Sequence, residues 1–307
     1  MGNPITTGLA GGRLVSPVQL KKVWDIDENP MYAEQYKEFY DIQKSDRSYE
    51  DYQQVTPFGL LKAKRQGGDI EYDSSKAGTQ KQIINITYAL GFRVTLEMKT
   101  YSDKYKLATR YTKALKQSVY NTRNVLGATL FNDGFDSSKA SIGDGKAIFA
   151  TDHPIPASSS VIQNTPSIAA DLSPASLKQD FTNIRTVAAL DGAGKKIQLR
   201  PTRLIVPPAL QWDAAEILES TLLADTDNNN KNSVNGVVGY TVFDFLTDDD
   251  AYFIKTNHMD EWVWQDSIMV TFDQDNDFDS KDMCMSAVFA SGVGAYDPRS
   301  MYGNQGA

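Results

Sequence analysis

The chain carries one cysteine, Cys284, and two histidines, His153 and His258, in 307 residues. A single thiol excludes an intramolecular disulfide and a cysteine-based metal centre, and it suits a reducing compartment. Two histidines so far apart form no ligand cluster at metal spacing. No run approaches eighteen apolar residues, so no membrane span is expected. The N-terminal stretch MGNPITTGLAGGRLVSP lacks the apolar centre of a signal peptide. Its Gly2 and Thr6 stand at myristoylation spacing, a pattern short enough to arise by chance. Positive charge is in short supply too: 31 Lys and Arg face 39 Asp and Glu, for a net charge of −8. That balance argues against sequence-specific DNA binding, which draws on clustered cations.

What is present is an ordinary globular composition, 41% hydrophobic and 23% charged. The length allows one large domain or two ordinary ones. Residues 1–55 read as an arm. Within it, NPMYAEQYKEFYDIQK reads as a short helix, with Asn29 as cap and Pro30 in the first turn. Trp24 lies upstream, and Tyr32, Tyr36, Phe39 and Tyr40 make an aromatic stripe that packs on a core, its own or another subunit's. Residues 56–98 read as two long strands. FGLLKAKRQGGDIEY runs out, and KQIINITYALGFRVTLEM runs back with alternating Ile84, Ile86, Tyr88, Leu90, Phe92 and Val94. The outer part is polar and glycine-rich. An isolated hairpin is marginal in water, so this arm should lie on something else.

The segment YSDKYKLATRYTKALKQSVYNTRNVLGATL is the best helix in the chain. Ser102 or Asp103 is placed to cap it, and Tyr105, Ala108, Tyr111, Leu115, Val119, Thr122 and Leu126 recur at helical spacing. A second helix starts at Ser173-Pro174 and stops near Gly192. LRPTRLIV reads as a short buried strand, and PPALQWDAAEILESTLL as a helix. YTVFDFL and AYFIKT read as a hairpin around TDDD. IMVTF and MCMSAVFASGVGAY read as late strands. The fold class is α+β.

Reactive constellations are few. GDGKA at 143–147 lacks the four-residue spacing of a phosphate loop, and Ala147 stands where a hydroxyl would hold magnesium, so a tight turn before the strand AIFAT is expected. Asp152 precedes His153, but neighbours on a strand point to opposite faces, which leaves Asp152 poorly placed to orient the ring. DTDNNNKNSVNG and DQDNDFDSKDMC begin like calcium loops, yet lack the glycine and the glutamate that such loops require. No cofactor and no metal site is expected, and no catalytic residue.

Three stretches then carry a resemblance. RSYEDYQQVTPFGLLKAKRQGGDIEYDSS followed by ITYALGFRVTLEM resembles the long projecting loop of tailed-bacteriophage major capsid proteins. GDGKAIFATDHP resembles a turn–strand–proline stretch of that family, and so does RLIVPPAL ahead of an amphipathic helix. The order of segments also resembles the Mu-like prophage head subunits, of the HK-ninety-seven-type fold. The resemblance implies an N-terminal arm at 1–55, an extended hairpin loop with peripheral strands at 56–98, and a spine helix with peripheral domain at 99–160. An axial domain at 161–265 and return strands with a C-terminal tail at 266–307 complete it.

It further implies that the chain assembles with itself into the hexamers and pentamers of an icosahedral shell around double-stranded DNA, held without sequence preference. A portal, and possible scaffolding or decoration proteins, are the implied partners. The implied location is the phage head, assembled in the host bacterial cytoplasm. Contact between subunits is expected through Lys62, Lys64, Arg65, Tyr72, Lys76 and Lys81 of the loop, and through Trp24, Tyr32, Tyr36 and Tyr40 of the arm. Some relatives cross-link lysine to asparagine, but nothing here identifies an acceptor, and no cross-link is expected. With residues 1–55 ahead of the loop, a separate scaffolding protein is expected. The competing readings are an encapsulin-like compartment with protein cargo, a hydrolase using His153, and a surface lattice protein.

Overall fold

The computed structural model describes residues 17–26, 33–55, 61, 63–70, 72, 77–95, 105–155, 158–222, 231–258, 262–279 and 282–307. Helix α1 spans Pro17–Ile26 and α2 Tyr105–Asn132. Helix α2 has no proline, and its 28 residues make a rod of about 42 Å. Helices α3, Pro174–Thr186, and α4, Gln211–Glu219, follow later. Ser173 and Ser176 cap α3 reciprocally, each side chain bonding the other's backbone N–H.

Twelve strands form among the described residues. The first sheet runs β1 (Asp41–Lys44), β10 (Trp262–Asn276), β11 (Met283–Ala295) and β4 (Ile86–Val94). The second runs β12 (Met301–Asn304), β9 (Tyr252–Thr256), β7 (Pro201–Val206) and β8 (Gly239–Val242). Two ribbons stand apart: β2 (Tyr49–Val55) with β3 (Ala77–Ile84), and β5 (His153–Pro154) with β6 (Val161–Ile162).

Helix α2 joins the two sheets. Near its start, Ala108, Leu115 and Val119 pack with Met283, Met285, Ala287 and Phe289 of β11 and with Leu20 and Trp24 of α1. Near its end, Ala128 and Phe131 enter an aromatic core with Tyr36, Phe39, Phe149, Phe253 and Trp264. A third core forms where α3 and α4 cover the other face of the second sheet, through Leu177, Ile184, Ala214 and Ile217 against Leu204, Val206 and Ile254.

Several expectations shift. The described part of the arm "helix" is a single 3-10 turn, Gln35–Glu38, and the chain then enters β1, which pairs in parallel with β10. Asn29, Pro30 and Tyr32 lie outside the described residues, as do Ser102 and Asp103. The outgoing strand of the projecting ribbon is β2, upstream of the expected stretch, because Tyr49–Val55 meets Ala77–Ile84. Described residues 61–72 form no strand. Strands β8 and β9 are not a hairpin: β7 lies between them, parallel to one and antiparallel to the other. Leu204, Ile205 and Val206 are fully buried, and a strand apolar on both faces takes the centre of a sheet. AIFAT forms no strand beyond a single bridge from Ala147 to Ser141. Helix α3 ends at Thr186, short of Gly192. Strand β10 starts at Trp262 and crosses the 265/266 boundary, while β12 returns the C-terminal segment to the second sheet.

Candidate functional site

His153 is the residue that the sequence offers as a catalytic candidate. The turn before it needs glycine twice, since Gly143 has φ +95° and Gly145 φ +80°. Gly143 also lies against the Gln80 backbone of β3, where a side chain would collide. The turn aims Asp144 inward. Its Oδ1 accepts from the backbone N–H of Lys146 at 2.9 Å, and its Oδ2 lies 2.7 Å from Nδ1 of His153. On the other side, Nε2 of His153 lies 3.2 Å from Oδ1 of Asn164. That amide has only one workable orientation. Its Nδ2 donates to the carbonyls of Ile148, Pro298 and Met301 at 2.8, 3.1 and 3.3 Å, while Oδ1 accepts from the Ala150 N–H at 2.9 Å.

Both ring nitrogens therefore face acceptors. His153 and Asp144 are almost wholly buried. Burial alone would push the Asp144 carboxyl up, but the hydrogen bonds from His153 and from the Lys146 N–H outweigh it and hold the group below its usual value. Asp152 takes no part, being ion-paired with Lys146 at the surface. The arrangement is a clamp that ties the glycine turn, β5, the exit of β6 and the approach to β12. Both ring nitrogens are engaged within this clamp.

Among the described residues no three His, Cys, Asp or Glu side chains gather to hold a metal ion. The second acidic loop closes on itself, with the Asp277 N–H bonded to the Asp282 carbonyl at 2.9 Å.

The candidate contact residues divide. Trp24, Tyr36 and Tyr40 lie inside the chain's own core rather than on a face for a neighbour. Trp24 stacks on Phe272 at 4.7 Å, Tyr36 on Trp264 at 3.9 Å, and the Tyr40 hydroxyl donates to the Gly127 carbonyl at 2.6 Å. Aromatic side chains of this size find most burial where the arm crosses α2 and β10. Lys64, Arg65 and Tyr72 are exposed on the projecting segment, together with Leu61 and Ile70. Lys81 sits on β3 opposite Tyr52, half-buried, and burial pushes its ammonium down. Lys62 and Lys76 lie outside the described residues. The ribbon's base is anchored: Tyr52 stacks on Tyr296 at 5.2 Å, and Gln54 Nε2 donates to Asp297 Oδ2 at 2.7 Å.

One cluster escaped sequence reasoning. Arg123 of α2 is buried, bonded to both carboxylate oxygens of Asp266 at 3.2 and 3.0 Å, to Glu34 at 3.0 Å and to the Tyr36 hydroxyl. Asp266 also accepts from Trp264 Nε1 at 2.8 Å and Ser291 Oγ at 2.7 Å. The only local signal was a charge at a position the helical period would bury.

The described residues thus show a helix bridging two sheets, a separate β2–β3 ribbon and a histidine held in a buried clamp. A family model described as "Phage capsid protein" matches residues 81–304, most of the chain. The chain belongs to the phage capsid protein family. Solved structures agree on the fold. The capsid protein of the cyanophage P-SCSP1u superposes with a TM-score of 0.57 at 7% identity, over 92% of this chain and 90% of that one. The capsid of a native GTA particle gives 0.56 at 9% identity, over 92% of each. The decorated capsid of bacteriophage JBD30 gives 0.52 at 14% identity, over 76% of this chain and 100% of that one. At such identities the likeness is one of fold. A comparison with curated proteins finds no match. The capsid protein is thus α+β, in the architecture shared by tailed-phage capsid subunits.

Proposed function

We propose that this capsid protein builds a closed icosahedral shell around double-stranded DNA by overlapping copies of itself in rings of six and five, without catalysing a reaction. The family match over residues 81–304 carries the reading. The projecting segment supports it. Leu61 and Tyr72 are almost fully exposed in the isolated chain, Ile70 is exposed beside them, and such side chains gain by burial against a neighbour. We read the first sheet as the peripheral part and the second as the axial part. The loop cations Lys64 and Arg65, with Lys62 and Lys76, are the proposed contacts on the adjoining subunit. The acidic net charge suits a container that holds its genome without gripping it. A portal, and scaffolding or decoration proteins, are the proposed partners of a head that assembles in the host cytoplasm.

Electron microscopy of purified particles, read with the ratio of absorbance at 260 and 280 nm, tests this. Closed particles rich in nucleic acid are expected. Closed particles filled with protein would favour a cargo compartment, and a uniform small oligomer that never forms shells would refute the reading.

A further inference from the structure

The helices that cover the second sheet present two solvent-facing surfaces among the described residues. Helix α4 buries Ala214, Ile217 and Leu218 and turns its remaining face to solvent. On that face Trp212 is 74% exposed, whereas Trp24, Trp262 and Trp264 are buried. Asp213 and Glu216 are exposed beside it; Trp212 and Glu216 are four residues apart and share one side of the helix. Helix α4 contains no lysine or arginine. It is an acidic ridge with an indole on it.

Helix α3 and the start of β7 present the converse. Phe181, Arg185, Arg200, Pro201 and Val237 line an open groove of about 760 Å³. Among the described residues no acidic side chain lines it and neither arginine has an ion pair; the Arg200 guanidinium donates to the Gln198 side-chain oxygen, with Nε at 3.2 Å. The groove sets Phe181, Pro201 and Val237 beside the side chains of Thr182 and Thr186 and two cations, a lining that can accept an aromatic side chain flanked by carboxylates.

We propose that the Trp212–Asp213–Glu216 ridge of one copy docks in the Arg185–Arg200 groove of the next. The indole lies on Phe181 and Val237, and the arginines face the carboxylates. Ridge and groove are different patches of one chain, so the contact is head-to-tail, and repeating it produces a ring if the rotation closes. The inference rests on the shell reading above and specifies one contact within it.

Tryptophan quenching tests it directly, because the other three indoles are buried. The slope of acrylamide quenching should fall several-fold between the unassembled chain and purified particles, and Trp212→Phe should remove the change. The paired reversals Arg185→Glu/Arg200→Glu and Asp213→Arg/Glu216→Arg should each prevent ring formation, and all four together should restore it. These side chains are exposed, and circular dichroism of the unassembled variants checks that they fold. Particles in which Trp212 quenches as freely as in the single chain would overturn the contact and leave the shell reading intact. Groove reversals that block assembly beside silent ridge reversals would also overturn it, and would assign the groove to a different acidic partner. A wild-type chain that never assembles would refute the shell reading, and this contact with it.

Discussion

Replacing Arg123 with methionine keeps most of the buried stem and removes the charge. Asp266 then retains Trp264 Nε1 and Ser291 Oγ as donors but faces no cation in its buried site. Glu34 loses its 3.0 Å partner and keeps Lys37. Breaking a buried pair by removing one partner costs about 3–5 kcal/mol, because the remaining charge is desolvated and uncompensated. At about 2–4 °C per kcal/mol for a chain of this order of size, the melting temperature should fall by on the order of 10 °C. Urea unfolding of the unassembled chain measures the loss without the contribution of assembly. The decisive comparison is Arg123→Met/Asp266→Asn. Asparagine still accepts from Trp264 and Ser291 but carries no charge, so the double variant should be more stable than Arg123→Met alone. A single-variant cost below about 1 kcal/mol, or a second substitution that simply adds to the first, would refute the account of Arg123 as the counter-charge joining arm, spine helix and β10.

Other expectations follow from the clamp and the projecting ribbon. Asp144→Asn should cost about 1–3 kcal/mol at neutral pH through the lost charged hydrogen bond. The Asp144 carboxyl is held below its usual value, so its contribution is complete above the ordinary aspartate range and fades as pH falls through the lower, folded-state value. Urea midpoints measured from pH 7 downward should show part of the acid loss in wild type and not in Asp144→Asn; identical acid limbs would contradict this. Gly143→Ala should cost more than Gly145→Ala, although both have positive φ, because only Gly143 has neighbouring backbone in the way. The left-handed backbone alone costs about 1–3 kcal/mol in each, so equal thermal shifts would count against the contact with Gln80. Removing residues 61–72 behind a short glycine bridge should leave a folded chain by circular dichroism that forms no closed particles under the electron microscope; normal particles would rule out a role for the projection in closure.

Much of the local architecture was present in the order of residues. Serine before proline at 173–174 fixed the start of α3, since a hydroxyl cap and a missing N–H suit the first turn. A proline-free, helix-periodic run determined α2. The run Leu204–Val206 determined a buried strand. Lys64, Arg65 and Tyr72, in the polar stretch read from the sequence, are exposed.

Tertiary structure decided what pairs with what. The buried stripe of α2 takes in Thr112, Lys116 and Arg123 and leaves Tyr111 exposed, because each buried polar group finds a partner: Ala108 O for Thr112, Trp24 O for Lys116, Asp266 for Arg123. Periodicity counts apolar residues and is blind to partners brought in from 92 or 143 positions away. The same holds for His153, oriented by Asp144 nine residues upstream rather than by its neighbour Asp152. It holds for β7, which separates two strands that adjacency would have joined, because the buried run Leu204–Val206 gains an inner place only in the folded sheet. Sequence determined elements such as α2, α3 and β11, since caps, prolines and periods act over a few residues, and left α1, β1, β2 and β12 unmarked. The structure decided sheet order, the burial of the arm's aromatics and the fate of the one candidate catalytic histidine, since those depend on groups that meet only after the chain has closed on itself.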